Sequence, residues 1–281
     1  MGGLEGSTFL VTGANTGIGK ETARALAARG ATVVLACRSE ENGRRAIAEI
    51  AAQTGNRRLD LLALDLGDLG SVRACAQAFL ARGEPLNVLI NNAGLAGRRG
   101  MTPSGFELAF GTNYVGPFLL TSLLLDRLRE SAPARIVNVA SGAHFGATGI
   151  DFDAVRKPTR TITGMREYSV SKLANVLHAH ELARRLEGTG VTTYSLHPGV
   201  IASDIWRSVP WPARTVMKRR MGSPEQGART SLYCATAPEL AGQTGLYYDR
   251  CAVRQPGAAA TASLGGELWR HSTEWVAAGR R

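Results

Sequence analysis

Tyr168 and Lys172 stand four residues apart in the stretch REYSVSKLANVLHAHELARRLEG. Residues at that spacing share one face of a helix. A phenol beside an ammonium could move a proton. Free tyrosine has a pKa near 10, so roughly one part in a thousand is phenolate at neutral pH. A neighbouring ammonium favours the phenolate and lowers that pKa. The same two residues also read as packing and solubility, because a Tyr-x-x-x-Lys pair often arises by chance. The rest of the chain has to decide between the readings.

A second candidate for chemistry lies at the start of the chain. The apolar run STFLV leads into Thr12-Gly13-Ala14-Asn15-Thr16-Gly17-Ile18-Gly19, and the helical pattern KETARALAARG follows. Glycines between a strand and a helix let the chain turn tightly and let its backbone approach a pyrophosphate. The helix N-terminus then offers unpaired N–H groups and partial positive charge to phosphate oxygens. The turn Gly13 to Gly19, with Asn15, Thr16, Gly17 and Ile18 inside it, therefore predicts a dinucleotide site. Its position after the first strand makes it far more specific than a glycine trio alone.

The next apolar run, ATVVLAC, ends in Arg38 and Ser39. A carboxylate here would accept the ribose hydroxyl of NAD. Arg38 instead offers a planar cationic fork to a 2′-phosphate, which favours NADP(H). The other reading of Arg38 is an exposed residue beside Glu40 and Glu41. Lys20, directly after Gly19, reads equally as extra positive charge for the phosphates and as surface decoration. Asp65, with Leu66 beside it, follows the third apolar run, and could meet an adenine amino group or cap the next helix. Asn91, Asn92, Ala93 and Gly94 end the fourth. Their amides could bridge strands, and Gly94 leaves room for the cofactor ribose.

These residues sit in a regular frame. Short apolar strands alternate with helical stretches of about ten to fifteen residues, which implies βαβ units. The strands are continuous apolar runs, as expected when both faces of a sheet are covered. The fold class expected is α/β, a single doubly wound Rossmann-type domain over residues 1–281. About seven mostly parallel strands would carry helices on both faces. Residues 201–229 break the rhythm and read as a substrate lid. Residues 256–281 read as a loosely held Ala/Gly-rich tail, with Trp269 and Trp275 able to anchor a terminal helix.

The 281 residues are 44% hydrophobic and 20% charged, with a net charge of +10. The basic residues are scattered, and the densest group is Lys218, Arg219 and Arg220. That pattern is a solvated surface rather than a nucleic-acid footprint. Cys37, Cys75, Cys234 and Cys251 lack metal-ligand spacing, so no metal is expected and the thiols read as free, as in a reducing compartment. The N-terminus has no signal-peptide pattern, and the apolar run from Phe118 to Leu125 is short for a bilayer. A cytoplasmic protein is the expectation.

Taken together, VTGANTGIGKETA, LACRS, LINNAG, FGTNYVGPFLLT, ARIVNVAS, YSVSKLANVL, ELARRLEGTGV and LHPGV resemble the short-chain dehydrogenase/reductase family, and its retinol dehydrogenase-like group most. The resemblance runs from Thr8 to about Ser203, in the family's order. It implies an NADP(H)-dependent oxidoreductase acting between a carbonyl and its alcohol. The family's catalytic residues fall on Asn113, Ser141, Tyr168 and Lys172. Tyr168 would be general acid in reduction and base in oxidation. Lys172 would lower the Tyr168 pKa and reach the nicotinamide ribose. Ser141 would donate to the substrate oxygen, and Asn113 would hold a water linking Lys172 to solvent. Pro198, Gly199 and Val200 would line the nicotinamide, with Ser203 as a further cofactor contact.

For the substrate, Trp206 and Trp211 in IASDIWRSVPWPARTVMKRRMG would give an apolar closing surface, and His144 could border the pocket. An apolar aldehyde or ketone follows from such a lid. Tryptophan and arginine together also permit contact with a membrane surface, although the N-terminal apolar anchor of membrane-resident relatives is not found in this sequence. The helices around Phe118 and Leu177 commonly make homodimers in the family, and a face buried within one chain would look the same. Two rival functions are a non-catalytic NADP-binding sensor of the same fold and a basic protein that binds membrane surfaces or nucleic acid.

Overall fold

The structure, a computed structural model, describes residues 3–201 and 222–278. Ser203, Trp206 and Trp211 lie outside the described residues, as do Lys218, Arg219 and Arg220.

Eight strands form one sheet. They are β1 (Thr8–Thr12), β2 (Thr32–Cys37), β3 (Leu59–Ala63), β4 (Val88–Asn91), β5 (Ala134–Val139), β6 (Val191–His197), β7 (Leu246–Asp249) and β8 (Ala252–Val253). Their order is β3-β2-β1-β4-β5-β6-β7-β8. All neighbours are parallel except β7 and β8, and the two-residue β8 is the strand that the sequence pattern does not show. The order reverses between β1 and β4, so a crevice opens at the carboxyl ends of those two strands.

The helices are α1 (Gly17–Ala28), α2 (Glu40–Thr54), α3 (Leu69–Leu80), α4 (Leu108–Glu130), α5 (Met165–Arg185), α6 (Pro224–Thr236) and α7 (Ala262–Ala278). Successive side chains of a strand point to opposite faces. Phe9 and Val11 accordingly pack with Ala23 and Leu26 of α1, Ile50 of α2 and Cys234 of α6. Leu10 packs with Phe79 of α3, Phe118 of α4 and Leu177 of α5 on the other side. Both faces of β1 are thus sealed, which explains its unbroken apolar run. Local signals set the helix ends. Ser39 accepts from the Asn42 N–H to cap α2, and Gly55 closes it at φ +70. Asp68 caps α3 by accepting from the Gly70 N–H at 2.8 Å.

Three expectations need correction. Residues 201–229 are not one lid, because α6 begins at Pro224 and Ser223 and Gln226 form its capping box. The tail is not loose, since α7 docks on the sheet's α4–α5 side. Trp269 packs on Phe118 at 5.1 Å between ring centroids, and Trp275 on Phe106 at 5.5 Å. The third concerns length: α4 has 23 residues and is apolar enough to cross a membrane by length and composition. Most of it is buried inside the fold, as a core helix would be.

Candidate active site

The glycine-rich turn is packed too closely for larger residues. Gly13 adopts φ +66, and a Cβ there would lie 2.9 Å from the Ala93 Cα. A Cβ at Gly19 would lie 2.4 Å from both the Gly13 carbonyl oxygen and the Asn92 Nδ2. The end of β4 is sewn to this turn. Asn92 Nδ2 donates to the Thr12 carbonyl at 2.8 Å, and the Thr12 hydroxyl accepts from the Asn92 and Ala93 N–H groups at 3.0 Å each. Asn91 bridges β4 to β5 by donating to Asn138 Oδ1 at 3.0 Å.

Beyond this turn lies a cleft of about 550 Å³. Gly13, Asn15, Thr16, Gly17, Ile18 and Gly19 line one wall, with Arg38, Asp65, Leu66, Asn92, Ala93 and Gly94. Ser141, Tyr168, Lys172, Pro198, Gly199 and Val200 line the other end. The sequence-predicted residues that are described thus share one cleft, with three exceptions, Lys20, Asn113 and His144. Asn42, Arg98, Thr112, Met165 and His197 also line it. No residue pattern marked the first four. His197 carried one signal, its place before the Pro-Gly turn.

At the phosphate end, Arg38 is exposed and has no hydrogen bond or ion pair among the described residues. Lys20 does not line the cleft. It pairs with Glu49 of α2 instead. Asp65 accepts from the Gly67 N–H at 2.9 Å. Asp68, three residues on, is the helix cap, so that reading of Asp65 falls. Glycine at 17 begins α1, whose first turn presents its N–H groups to the cleft.

At the other end, Tyr168 lies 5% exposed on α5. Burial pushes its phenol up, and a hydrogen bond with the Ser141 side chain pulls it partly back. Ser141 follows β5 and caps a short turn by accepting from the Ala143 N–H at 3.1 Å. Gly142 donates to His197 Nδ1 at 3.1 Å, which fixes this loop from β6.

Lys172 is 3% exposed. Its Nζ donates to the Val139 carbonyl at 2.8 Å and lies 5.7 Å from the Tyr168 ring centroid. Burial drops its pKa to about 7. The expected lowering of Tyr168 by Lys172 is therefore not found in the chain alone. The lysine is aimed at a main-chain carbonyl, and its own charge is weakened by desolvation.

Asn113 lies in a π-helical turn, Gly111–Val115, inside α4. Its Oδ1 accepts from the Leu95 N–H at 2.8 Å, and its Nδ2 donates to the Leu95 carbonyl and to Ser171 Oγ at 2.9 Å each. Both amide protons are spent on protein partners, so this side chain positions the loop after β4. A Cβ at Gly94 would meet Asn113 Oδ1 at 3.3 Å and Lys172 Nζ at 3.4 Å, so the three residues converge.

His144 does not border the pocket. It is fully buried. Its Nδ1 bonds the Ser141 carbonyl at 2.6 Å and its Nε2 accepts from the Gly257 N–H at 3.0 Å. It ties the Ser141 turn to the segment before α7. Among the described residues no group of three His, Cys, Asp or Glu is placed to hold a metal.

The family model described as short chain dehydrogenase matches residues 7–152. Dehydrogenase/reductase SDR family member 13 of Bos taurus is 44% identical over 99% of this chain and 75% of its own length. Retinol dehydrogenase 12 of Mus musculus is 47% identical over 88% of this chain and 79% of its own. A solved structure of an uncharacterized protein from Mycobacterium paratuberculosis superposes with a TM-score of 0.78 at 32% identity, covering 99% of this chain and 96% of the other. The chain belongs to the short-chain dehydrogenase/reductase family of oxidoreductases. Within that family it falls in the retinol dehydrogenase-like group.

Proposed function

We propose that the protein is an NADP(H)-dependent oxidoreductase that interconverts an apolar aldehyde or ketone and its alcohol. The observation that carries this reading is the shared cleft. The Ser141–Tyr168 pair lies at one end and an arginine without a carboxylate partner, Arg38, at the other. The residues fit a dinucleotide: glycines where a Cβ would collide, a helix N-terminus, and a free guanidinium where a 2′-phosphate would lie.

When bound, the nicotinamide supplies or accepts the hydride. The chain's own residues handle the proton and the oxygen. The Tyr168 phenol, raised by burial, stays protonated at neutral pH and suits donation to a carbonyl oxygen. The Ser141 hydroxyl adds a hydrogen bond to the same oxygen, which stabilises the charge that develops there. Lys172, its pKa lowered by burial, can hold ribose hydroxyls and pass a proton toward Tyr168. The apolar residues Leu95, Ala96, Ala143 and Met165 line the cleft and suit an apolar substrate. A cytoplasmic setting is part of the proposal, supported by four free cysteines.

Fluorescence titration with NADPH and NADH tests the reading, followed by turnover with aldehydes and ketones. Arg38→Ala is expected to weaken NADPH roughly ten- to hundredfold, the worth of a charge-assisted contact, and to leave NADH unaffected. Tyr168→Phe is expected to bind NADPH and lose at least about a hundredfold in kcat. Failure of the wild type to bind either cofactor would overturn the assignment, and binding without any turnover would favour the sensor.

A further inference from the structure

We infer that the substrate carries a carboxylate at the far end of its apolar body and that Arg98 binds it. This rests on the oxidoreductase reading above and narrows its substrate class.

Arg98 lines the same cleft as Ser141 and Tyr168. It is exposed and has no hydrogen bond or ion pair among the described residues. Its backbone is fixed at the start of α5. Gly164, at φ +65, precedes that helix, and a Cβ there would lie 2.8 Å from the Arg98 carbonyl oxygen. The Gly164 carbonyl in turn accepts from the Tyr168 N–H at 3.0 Å. Arg98 therefore abuts a point one helical turn, about 6 Å along the axis, before the reacting tyrosine. Gly100 and Thr159 hold the loop from the other side, with Gly100 N–H donating to Thr159 Oγ1 at 3.0 Å.

Charge points the same way. Asp65 is the one carboxylate among the described lining residues. It sits on the phosphate side and is engaged by Gly67. Arg99 and Arg166, both exposed, directly follow the lining residues Arg98 and Met165 in the chain. The nearby Glu167 is occupied by the N–H groups of Arg160 and Thr161. This end of the cleft is thus apolar within and has the unpaired Arg98 on its wall, a charge that draws in anions. A solvated surface arginine would need none of these arrangements, but it is the outcome to exclude.

The test compares para-carboxybenzaldehyde with its methyl ester, which keeps the shape and removes the charge. With saturating NADPH the wild type is expected to prefer the acid by about tenfold in kcat/KM, a preference that falls as salt rises. Arg98→Ala is expected to bring the acid-to-ester ratio to about one, and Arg98→Lys to keep part of it. Calorimetry of the full chain with para-carboxybenzyl alcohol and its methyl ester reads the same preference without turnover. If neither aldehyde turns over but the acid alcohol binds more tightly through Arg98, the turnover reading falls and Arg98 stands as a carboxylate site for a ligand rather than a substrate. Equal handling of acid and ester, or a ratio that Arg98→Ala leaves unaltered, overturns it.

Discussion

Lys172 carries a folding penalty that can be measured. Its ammonium is buried, donates to the Val139 carbonyl, and meets no carboxylate among the described residues. Desolvation takes its pKa from 10.5 to about 7. Between those values the unfolded chain binds more protons than the folded one. Stability therefore rises with pH through that window, and below it the full penalty is present. Lys172→Met removes the titrating group and keeps most of the volume. The difference in unfolding free energy between wild type and variant should move by about 3 kcal/mol in the wild type's favour from about pH 6 to about pH 9.5. Other titrating groups cancel in that difference unless they couple to Lys172. Tyr168, the nearest, is pushed up by burial and stays protonated over the range. Near pH 7 the penalty is about 4 kcal/mol, and losing the donor to Val139 costs about 1–3, so the variant should be more stable by roughly 1–3 kcal/mol. Urea unfolding of the cofactor-free chain, followed by tryptophan fluorescence at several pH values, measures this. A pH-independent difference, or a variant less stable than wild type throughout, would refute the reasoning.

Two further outcomes follow from close contacts. Gly19→Ala places a methyl 2.4 Å from the Gly13 carbonyl oxygen, a backbone atom that cannot swing aside. Urea unfolding should show a loss of about 1–3 kcal/mol, and the NADPH titration a raised Kd. His144→Phe leaves the Gly257 N–H without its partner and takes the imidazole from the Ser141 carbonyl, which keeps only the backbone N–H of residue 144 at 3.2 Å. The expected loss is roughly 2–4 kcal/mol, with the order of preference among aldehydes kept. A changed preference at unchanged stability would return His144 to the pocket.

The sequence made the sheet legible because β1, β2, β4 and β5 are buried on both faces and read as continuous apolar runs. The dinucleotide turn was legible for a similar reason: Gly13 and Gly19 sit where no side chain fits. What stayed hidden depends on contacts between distant segments. Lys20 follows the turn directly, but only the packing of α1 beside α2 shows that Glu49 claims it. Spacing leaves His144 open between a pocket residue and a loop histidine, and only the Gly257 N–H on its Nε2 decides. Asp65 and Asp68 both stand before α3, and spacing alone does not say which of them caps. Arg98 lies in a glycine-rich loop with no periodicity, so its place at the cleft emerges only when Gly164 presses that loop against α5.

Two local choices that a fold by itself would avoid meet at one glycine. A π turn interrupts α4 at Asn113, although such turns are rare and concentrate at functional sites. An ammonium is buried at Lys172 without a counter-charge among the described residues, although most buried charges are paired. Gly94 stands where a Cβ would touch both side chains. The π turn aims Asn113 at the Leu95 backbone and at Ser171, and so ties the loop after β4 to the helix that carries Tyr168 and Lys172. When local rules fail together and at one place, the failures have a common cause. On the proposed function, that cause is the need to hold a proton donor, a cation and an open space for a ligand close together.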